Sequence, residues 1–262
     1  THVVLRAVVG PYSKAEIPLL SSISNLPQKA LYLLDRGLFK YEWLWGLTQQ
    51  GSHFVVRAKR QLRLRRVRRL GKRDDIVEVL GRAKRLARAS EKPWQLRRIC
   101  YHRPGHSTVI LLTSLLDAEQ YPADEIVARY RDRWEVELGY DEIKTHLLGE
   151  HVPLRSGAPE RVLQETYAYL LAYNVIRITM ARVALKRQVD PRRISFVDTL
   201  ERLRVLLPAM AFAPAMRLPA LFQAFLDDVA GCLLPPRRRR RCPRAVKTIP
   251  CYYPIRKKRR AA

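Results

Sequence analysis

The sequence predicts an α/β fold with a β-rich insertion and a helical C-terminal side. Three observations predict it. The first 58 residues follow a β-α-β-α-β order, short β-type runs fill the stretch from Lys59 to Leu116, and long helical patterns take over after Asp117.

The elements follow from local chemistry. Thr1–Val9 is an apolar, β-branched run that ends at Gly10-Pro11 and reads as a strand. Lys14–Ser24 reads as a helix, Ala30–Leu34 as a short buried strand closed by Asp35-Arg36-Gly37, Tyr41–Gln50 as a helix, and His53–Ala58 as a strand after Gly51. In the insertion, Val67–Leu70, Ile76–Leu80, Gln95–Tyr101 and Thr108–Ser114 are strand candidates between charged or Gly/Pro turns. Beyond it, Pro122–Leu148, Pro159–Lys186, Asp198–Leu207 and Pro219–Leu226 are helix candidates, with proline near several starts. The chain thus divides into 1–58, the first part of a core; 59–116, the insertion; 117–187, the rest of the core; 188–234, C-terminal helices; and 235–262, a basic tail with Arg237–Arg241 and Arg256–Arg260.

Composition narrows the partner. With 262 residues, 47% of them hydrophobic, the chain can bury a sizeable core. Fifty Lys+Arg against 24 Asp+Glu leave a formal charge of +26, which points to a polyanion, nucleic acid being the common one. No apolar run approaches the roughly 20 residues of a membrane span and no secretion signal stands at Thr1, so the sequence reads as cytosolic. It also starts inside an apolar run without an initiator Met, as a chain cut into a strand would. Cys100, Cys232, Cys242 and Cys251 lack zinc-ligand or paired spacing and are expected to be free thiols.

The segment with most chemistry is Tyr130 to Lys144. On one continuous helix Tyr130, Arg133, Glu137 and Lys144 fall within about 60° of arc, a narrow polar stripe. Val127, Trp134 and Leu138 would form an apolar strip beside it, packed on the sheet, while Arg131, Glu135 and Glu142 point elsewhere. A carboxylate flanked by cations and a phenol suits a phosphodiester site, where the acid holds a divalent cation and Arg and Lys hold phosphate oxygens. A solvated helix laced with ion pairs would have the same spacing.

The spacing Tyr-x2-Arg-x3-Glu-x6-Lys resembles the signature of bacterial insertion-sequence transposases of the IS-four type, members of the DDE superfamily with a ribonuclease-H-like core. The resemblance extends over nearly the whole chain. Leu33-Leu34-Asp35-Arg36-Gly37 looks like the family's second acidic motif, and Leu112–Asp117 with Tyr121-Pro122 resembles its lead-in to the signature helix. Leu154-Arg155-Ser156 and Gln164-Glu165 are family-like too.

The resemblance implies a ribonuclease-H-like core, incomplete at the N-terminus, with Asp35 and Glu137 as catalytic, metal-binding carboxylates. It implies Tyr130, Arg133 and Lys144 as DNA contacts, Mg2+ or Mn2+ in a two-metal site, and double-stranded DNA (element ends and target) as partner, with a dimer on DNA and no membrane. The chemistry is hydrolysis and strand transfer at phosphorus, with ions about 3.5–4 Å apart. The family's first Asp would lie on an early strand, and Thr1–Val9 has no acidic residue, so two of three carboxylates are expected here. A non-catalytic transposase remnant that binds element ends, or a generic basic nucleic-acid-binding protein, stays open beside the enzyme.

For Asp35 an Asx-type turn before Gly37 is the plain alternative. His102 and His106 have ligand-like spacing but flank Pro104-Gly105, which makes them two surface imidazoles. Trp94 reads as a packed aromatic in preference to a base-stacking one, and Trp43 and Trp45 as core.

Overall fold

The computed structural model describes residues 1–11, 16–23, 25–59, 61–80, 94–102, 108–149 and 153–235. The arginine blocks of the tail, Cys242, Cys251 and His106 lie outside the described residues.

Strands form where the short apolar runs were read: β1 (Leu31–Leu34), β2 (His53–Arg57), β3 (Leu64–Gly71), β4 (Asp74–Val79), β5 (Gln95–Tyr101) and β6 (Val109–Thr113). They make one sheet in the order β1-β2-β6-β5-β4-β3. β1, preceded by a short helix α1 (Glu16–Leu20), is parallel to β2, with Leu34 opposite Val56, and α2 (Tyr41–Gln49) is the crossover that a parallel pair requires. Every other neighbouring pair is antiparallel. The strands between residues 59 and 116 therefore prolong the sheet that β1 and β2 begin.

Alternation assigns the two faces. Leu34, Phe54, Val56, Leu112, Leu96, Val77 and Val79 lie on one, where Leu44 and Leu47 of α2 cover them and Trp94 packs edge-on against Tyr41 and Trp45. Val55, Leu111 and Ile99 lie on the other, under Ile126, Val127 and Tyr130 of α3 (Ala123–Arg131). The result is three layers, helix on sheet on helix, with β-branched and leucine side chains filling both interfaces. Trp94 is thus a packed aromatic, as read from the sequence.

A second core belongs to helices alone. α5 (Pro159–Lys186) begins with Pro at its first turn, where a missing N–H costs nothing. It is long and apolar enough to cross a membrane by length and composition, yet it packs Tyr173, Ile176, Met180 and Val183 against α6 (Phe196–Phe212) and α7 (Leu218–Gly231). Ser195 caps α6 by accepting from Asp198 N at 3.2 Å.

Two expectations are corrected. Thr1–Val9 is no strand: it pairs with helix side chains, Val4 N donating to Asn174 Oδ1 and Asn174 Nδ2 to Val4 O, both at 2.8 Å, while Tyr167 donates to Ala7 O at 3.1 Å. The residues after Pro122 are not one helix either. α3 ends at Arg131, α4 runs Trp134–Asp141, and Glu142–Leu147 is a π-helical segment. At the joint the ladder tightens to three-residue bonds, Arg133 N to Tyr130 O at 3.2 Å and Val136 N to Arg133 O at 3.1 Å. The cause is tertiary, because α3 must sit on the sheet whereas Ile143 and Leu147 must reach the helical core. Asp132 at the joint is held by Arg192 at 3.0 Å.

One buried arginine ties the sheet to α3. Arg97 is fully buried on β5 and donates to both carboxylate oxygens of Asp74 on β4, at 2.8 and 2.6 Å. Its other nitrogen donates to Asp117 O and Tyr121 O, at 3.1 and 2.6 Å, fixing the turn that leads into α3. The Asp117 carboxylate closes the same turn on Gln120 N and Glu119 N, bonds that lower its pKa.

Removing one partner of a buried, bidentate pair strands the other's charge. Arg97→Met is expected to lower the unfolding free energy by about 3–5 kcal/mol in urea titration, with Arg97→Met/Asp74→Leu regaining most of it. A single-variant loss under about 1 kcal/mol, the range of a solvated pair, would contradict the assignment.

Candidate active site

Asp35 stands one residue past β1, where the chain turns into a short 3-10 segment, Arg36–Leu38. Leu38 N donates to its backbone carbonyl at 3.1 Å, but the side chain makes no capping hydrogen bond and is exposed. The Asx-turn alternative is therefore not what forms, and the carboxylate points its oxygens to solvent at the end of a buried strand. Within the turn, a Cβ at Gly37 would stand 3.9 Å from the Asp35 oxygen, so that flank stays open.

Tyr130 brings the helix to this strand end. Its ring is buried and its hydroxyl donates to Leu34 O at 3.1 Å, next to Asp35. Burial raises the phenol's pKa, the charges of Arg133 and Arg57 oppose the rise, and Asp35 and Tyr101 add to it. One helical turn further, Arg133 pairs with Glu137 at 3.0 Å and lays its guanidinium over the Trp134 ring at 5.5 Å. Glu137 is exposed, as is Lys144, whose ammonium lies 5.8 Å from the Tyr140 ring centre.

Of the five residues singled out from the sequence, Asp35, Tyr130, Arg133 and Glu137 thus form a chain of neighbours, with Lys144 two turns further on the π-helical segment. The Arg133–Glu137 contact has the i,i+4 form that a solvated ion-paired helix would also show. The apolar strip does not form as expected. Val127 is buried, but Trp134 and Leu138 are 48% and 38% exposed, because the joint at Asp132–Arg133 redirects everything after it.

A polar cluster behind the stripe was missed. Glu135 and Glu142 face away from Glu137 into the contact with α5. There Arg177, 3% exposed, pairs with Glu142, its Nη2 lies 2.7 Å from His2 Nδ1, and Tyr173 donates to Glu142 at 2.8 Å. His2 Nε2 lies 2.8 Å from Glu135. Burial opposes ionisation of Glu142, but the bonds from His2, Arg177 and Tyr173 win and its pKa is lowered. Burial, together with the adjacent carboxylate, pushes the Tyr173 hydroxyl up to about 12. Gly139 permits the approach, since a Cβ there would stand 3.2 Å from the Tyr173 oxygen. The signal was present: Tyr173, Asn174 and Arg177 interrupt the apolar run Leu170–Ile178.

Nearby, Glu165 of α5 accepts from Arg155 N and Ser156 N, each at 3.0 Å, so two of the family-like segments meet.

Comparison with known proteins gives the family to which a chain with this fold and these residues belongs. Residues 1–175 match the transposase DDE domain family, and the chain belongs to that family. Within it the chain is of the IS4 type. It is 30% identical, over 97% of its length, to the transposase InsG for insertion sequence element IS4 of Escherichia coli (strain K12), of which it spans 59%. It is also 30% identical, over 57% of its length, to the putative transposase y4zB of Sinorhizobium fredii (strain NBRC 101917 / NGR234), over 42% of that protein. The chain thus covers less than two thirds of these curated relatives.

The depressed pKa of Glu142 sets a pH dependence. A carboxylate ionising more readily folded than at the ordinary 4.5 adds stability that is full above that value and is lost as pH falls through the lower, folded one. Glu142→Gln is expected to be less stable at neutral pH and to lose less on acidification below about 4.5, followed by thermal melts across the acid range. Parallel acid limbs for the two proteins would show that Glu142 carries no such linkage.

Proposed function

We propose that this chain cuts and joins DNA strands at the ends of a mobile element, with Asp35 and Glu137 as its metal-binding carboxylates. One observation carries the reading: the side chain of Asp35 is left out of its own turn, and Tyr130 ties that strand end to α3, directly before the joint that leads into α4 and Glu137. The parallel β1–β2 pair with helices on both faces supports a ribonuclease-H-like core, with residues 59–116 as the insertion between the two acids.

In this reading Asp35 and Glu137, both exposed, would each offer a carboxylate oxygen to one Mg2+ or Mn2+, an ion that keeps several waters and takes other ligands from phosphate. Among the described residues no group of three or more His, Cys, Asp or Glu side chains converges to hold a metal, so these residues alone do not furnish a two-ion cage. When bound, such an ion supplies an activated water or hydroxyl and steadies charge at the phosphate. Arg133 orients the Glu137 carboxylate and, at its own end, offers donors to a phosphate oxygen. Lys144 adds a point charge further along the strand, and Tyr130 keeps the two elements together from beneath. Double-stranded element ends and target DNA are the substrates in this reading, held by a dimer.

The test is nicking of a plasmid that carries the element ends, with Mg2+ or Mn2+. Asp35→Asn and Glu137→Gln are each expected to reduce it about 100-fold or more, since even residues one layer removed from a metal cost about 10–100-fold. Nicking that survives both substitutions, or end binding with no nicking in either metal, would contradict the catalytic assignment.

A further inference from the structure

Seven of the eleven residues from Arg63 to Arg73 are basic and none is acidic: Arg63, Arg65, Arg66, Arg68, Arg69, Lys72 and Arg73. They form β3 and its hairpin turn, and β3 is the outermost strand of the sheet, opposite in order to β1. Residues 65 to 69 are all exposed. Two register shifts, between Arg66 and Arg68 and between Arg69 and Gly71, break the simple alternation, so that neighbouring arginines spread over both faces of the edge.

Among the described residues, the carboxylates on the adjoining strand neutralise only one residue of this tract. Asp74 is taken by Arg97 and Asp75 by Arg98, both on β5, and Glu78 is taken by Arg65. Arg66, Arg68, Lys72 and Arg73 have no acidic partner among the described residues. Blunting an exposed edge against pairing with another chain accounts for a charge or two. It does not account for seven, where Glu78 pairs with Arg65 alone while Asp74 and Asp75 are committed to β5.

The tract also has a fixed place relative to Asp35. Leu34 stands opposite Val56, Val56 opposite Leu112, Leu112 opposite Arg98, Arg98 opposite Asp75 and Asp75 opposite Arg69. The end of β1 that carries Asp35 and the β3–β4 hairpin therefore lie at the same end of the sheet, five strand spacings or about 24 Å apart. Along a duplex that rises 3.4 Å per base pair, this is about seven base pairs.

We infer that the β3 edge and its hairpin are a second DNA-backbone contact tract, gripping phosphates of the duplex about seven base pairs from those at Asp35. The distance rests on the reading of Asp35 and Glu137 given above; the tract itself does not. Sequence-independent phosphate contacts of this kind fix the register of a duplex across the sheet end.

The experiment is the salt dependence of binding to a mixed-sequence DNA duplex, for the whole chain and two quadruple variants. In the first, Arg66, Arg68, Arg69 and Lys72 become Gln. In the second, Arg182, Lys186, Arg187 and Arg217, all exposed on the helical side, become Gln, matching the change in net charge. Each lost phosphate contact lowers the slope of log K against log salt by about 0.9, so the first variant is expected to lose about 3–4 and the second under about 1. Circular dichroism checks that both stay folded, as fits substitutions at solvent-exposed side chains. Equal slope changes in the two variants, no change in the first, or an RNA duplex that competes as well as DNA would overturn the assignment. Because the slope needs no cleavage, a failure of Asp35 or Glu137 as catalytic residues is read separately, in the nicking assay.

Discussion

The hydrogen bond from the Tyr130 hydroxyl to the Leu34 carbonyl joins the strand that leads to Asp35 to α3, from which the chain turns through Asp132–Arg133 into α4 and Glu137. Both groups are buried, so each would be costly to leave unpaired, and the bond fixes the pivot of α3 on the sheet. The two carboxylates come from segments about a hundred residues apart in sequence. Their relation depends on this pivot, on the Arg97 bonds to the turn before α3, and on the packing of Ile126 and Val127 beside them.

Beyond the pivot the chain serves a second master. α4 and the π-helical segment leave the sheet and dock on α5, where the cluster of Glu142, Arg177, Tyr173 and His2 secures them. Glu137 lies between the two anchorages, held from one side by Tyr130 and from the other by Glu135 and Glu142. The tight turn at Asp132–Arg133 is the consequence of docking on both cores at once, and Asp132 is steadied there by Arg192. The N-terminal strap enters the same junction through His2 and Val4, so the second anchorage draws on residues more than 130 positions apart.

Much of the architecture was legible because local physics decides it. Short apolar or β-type runs between turn residues located all six strands, and helical patterning that begins at a proline located α5 to the residue. The parts that were not legible are those decided at long range. Thr1–Val9 has the composition of a strand, but composition cannot say that its amide partner is the Asn174 side chain. Nothing between Asp132 and Arg133 resembles a breaker, so extrapolating 100° per residue carried Trp134 and Leu138 to the wrong side. Asp35, Arg133 and Glu137 could be named from spacing and resemblance, whereas Arg97–Asp74 and Arg177–Glu142 pair residues whose proximity only the folded sheet and helices create. The β3 arginines were visible as charge, and their meaning came from the register that aligns Arg69 with the end of β1.

The proposed function requires Asp35 and Glu137 to face one divalent ion. The direct measurement is to bind Fe2+ in place of Mg2+, generate hydroxyl radicals at the ion, and map the backbone cuts. The account predicts cuts around residue 35 and around residue 137 in the same reaction, both suppressed by excess Mn2+ and both absent in Glu137→Gln. Cuts at one segment alone, or a pattern indifferent to Mn2+ and to Glu137, would contradict it.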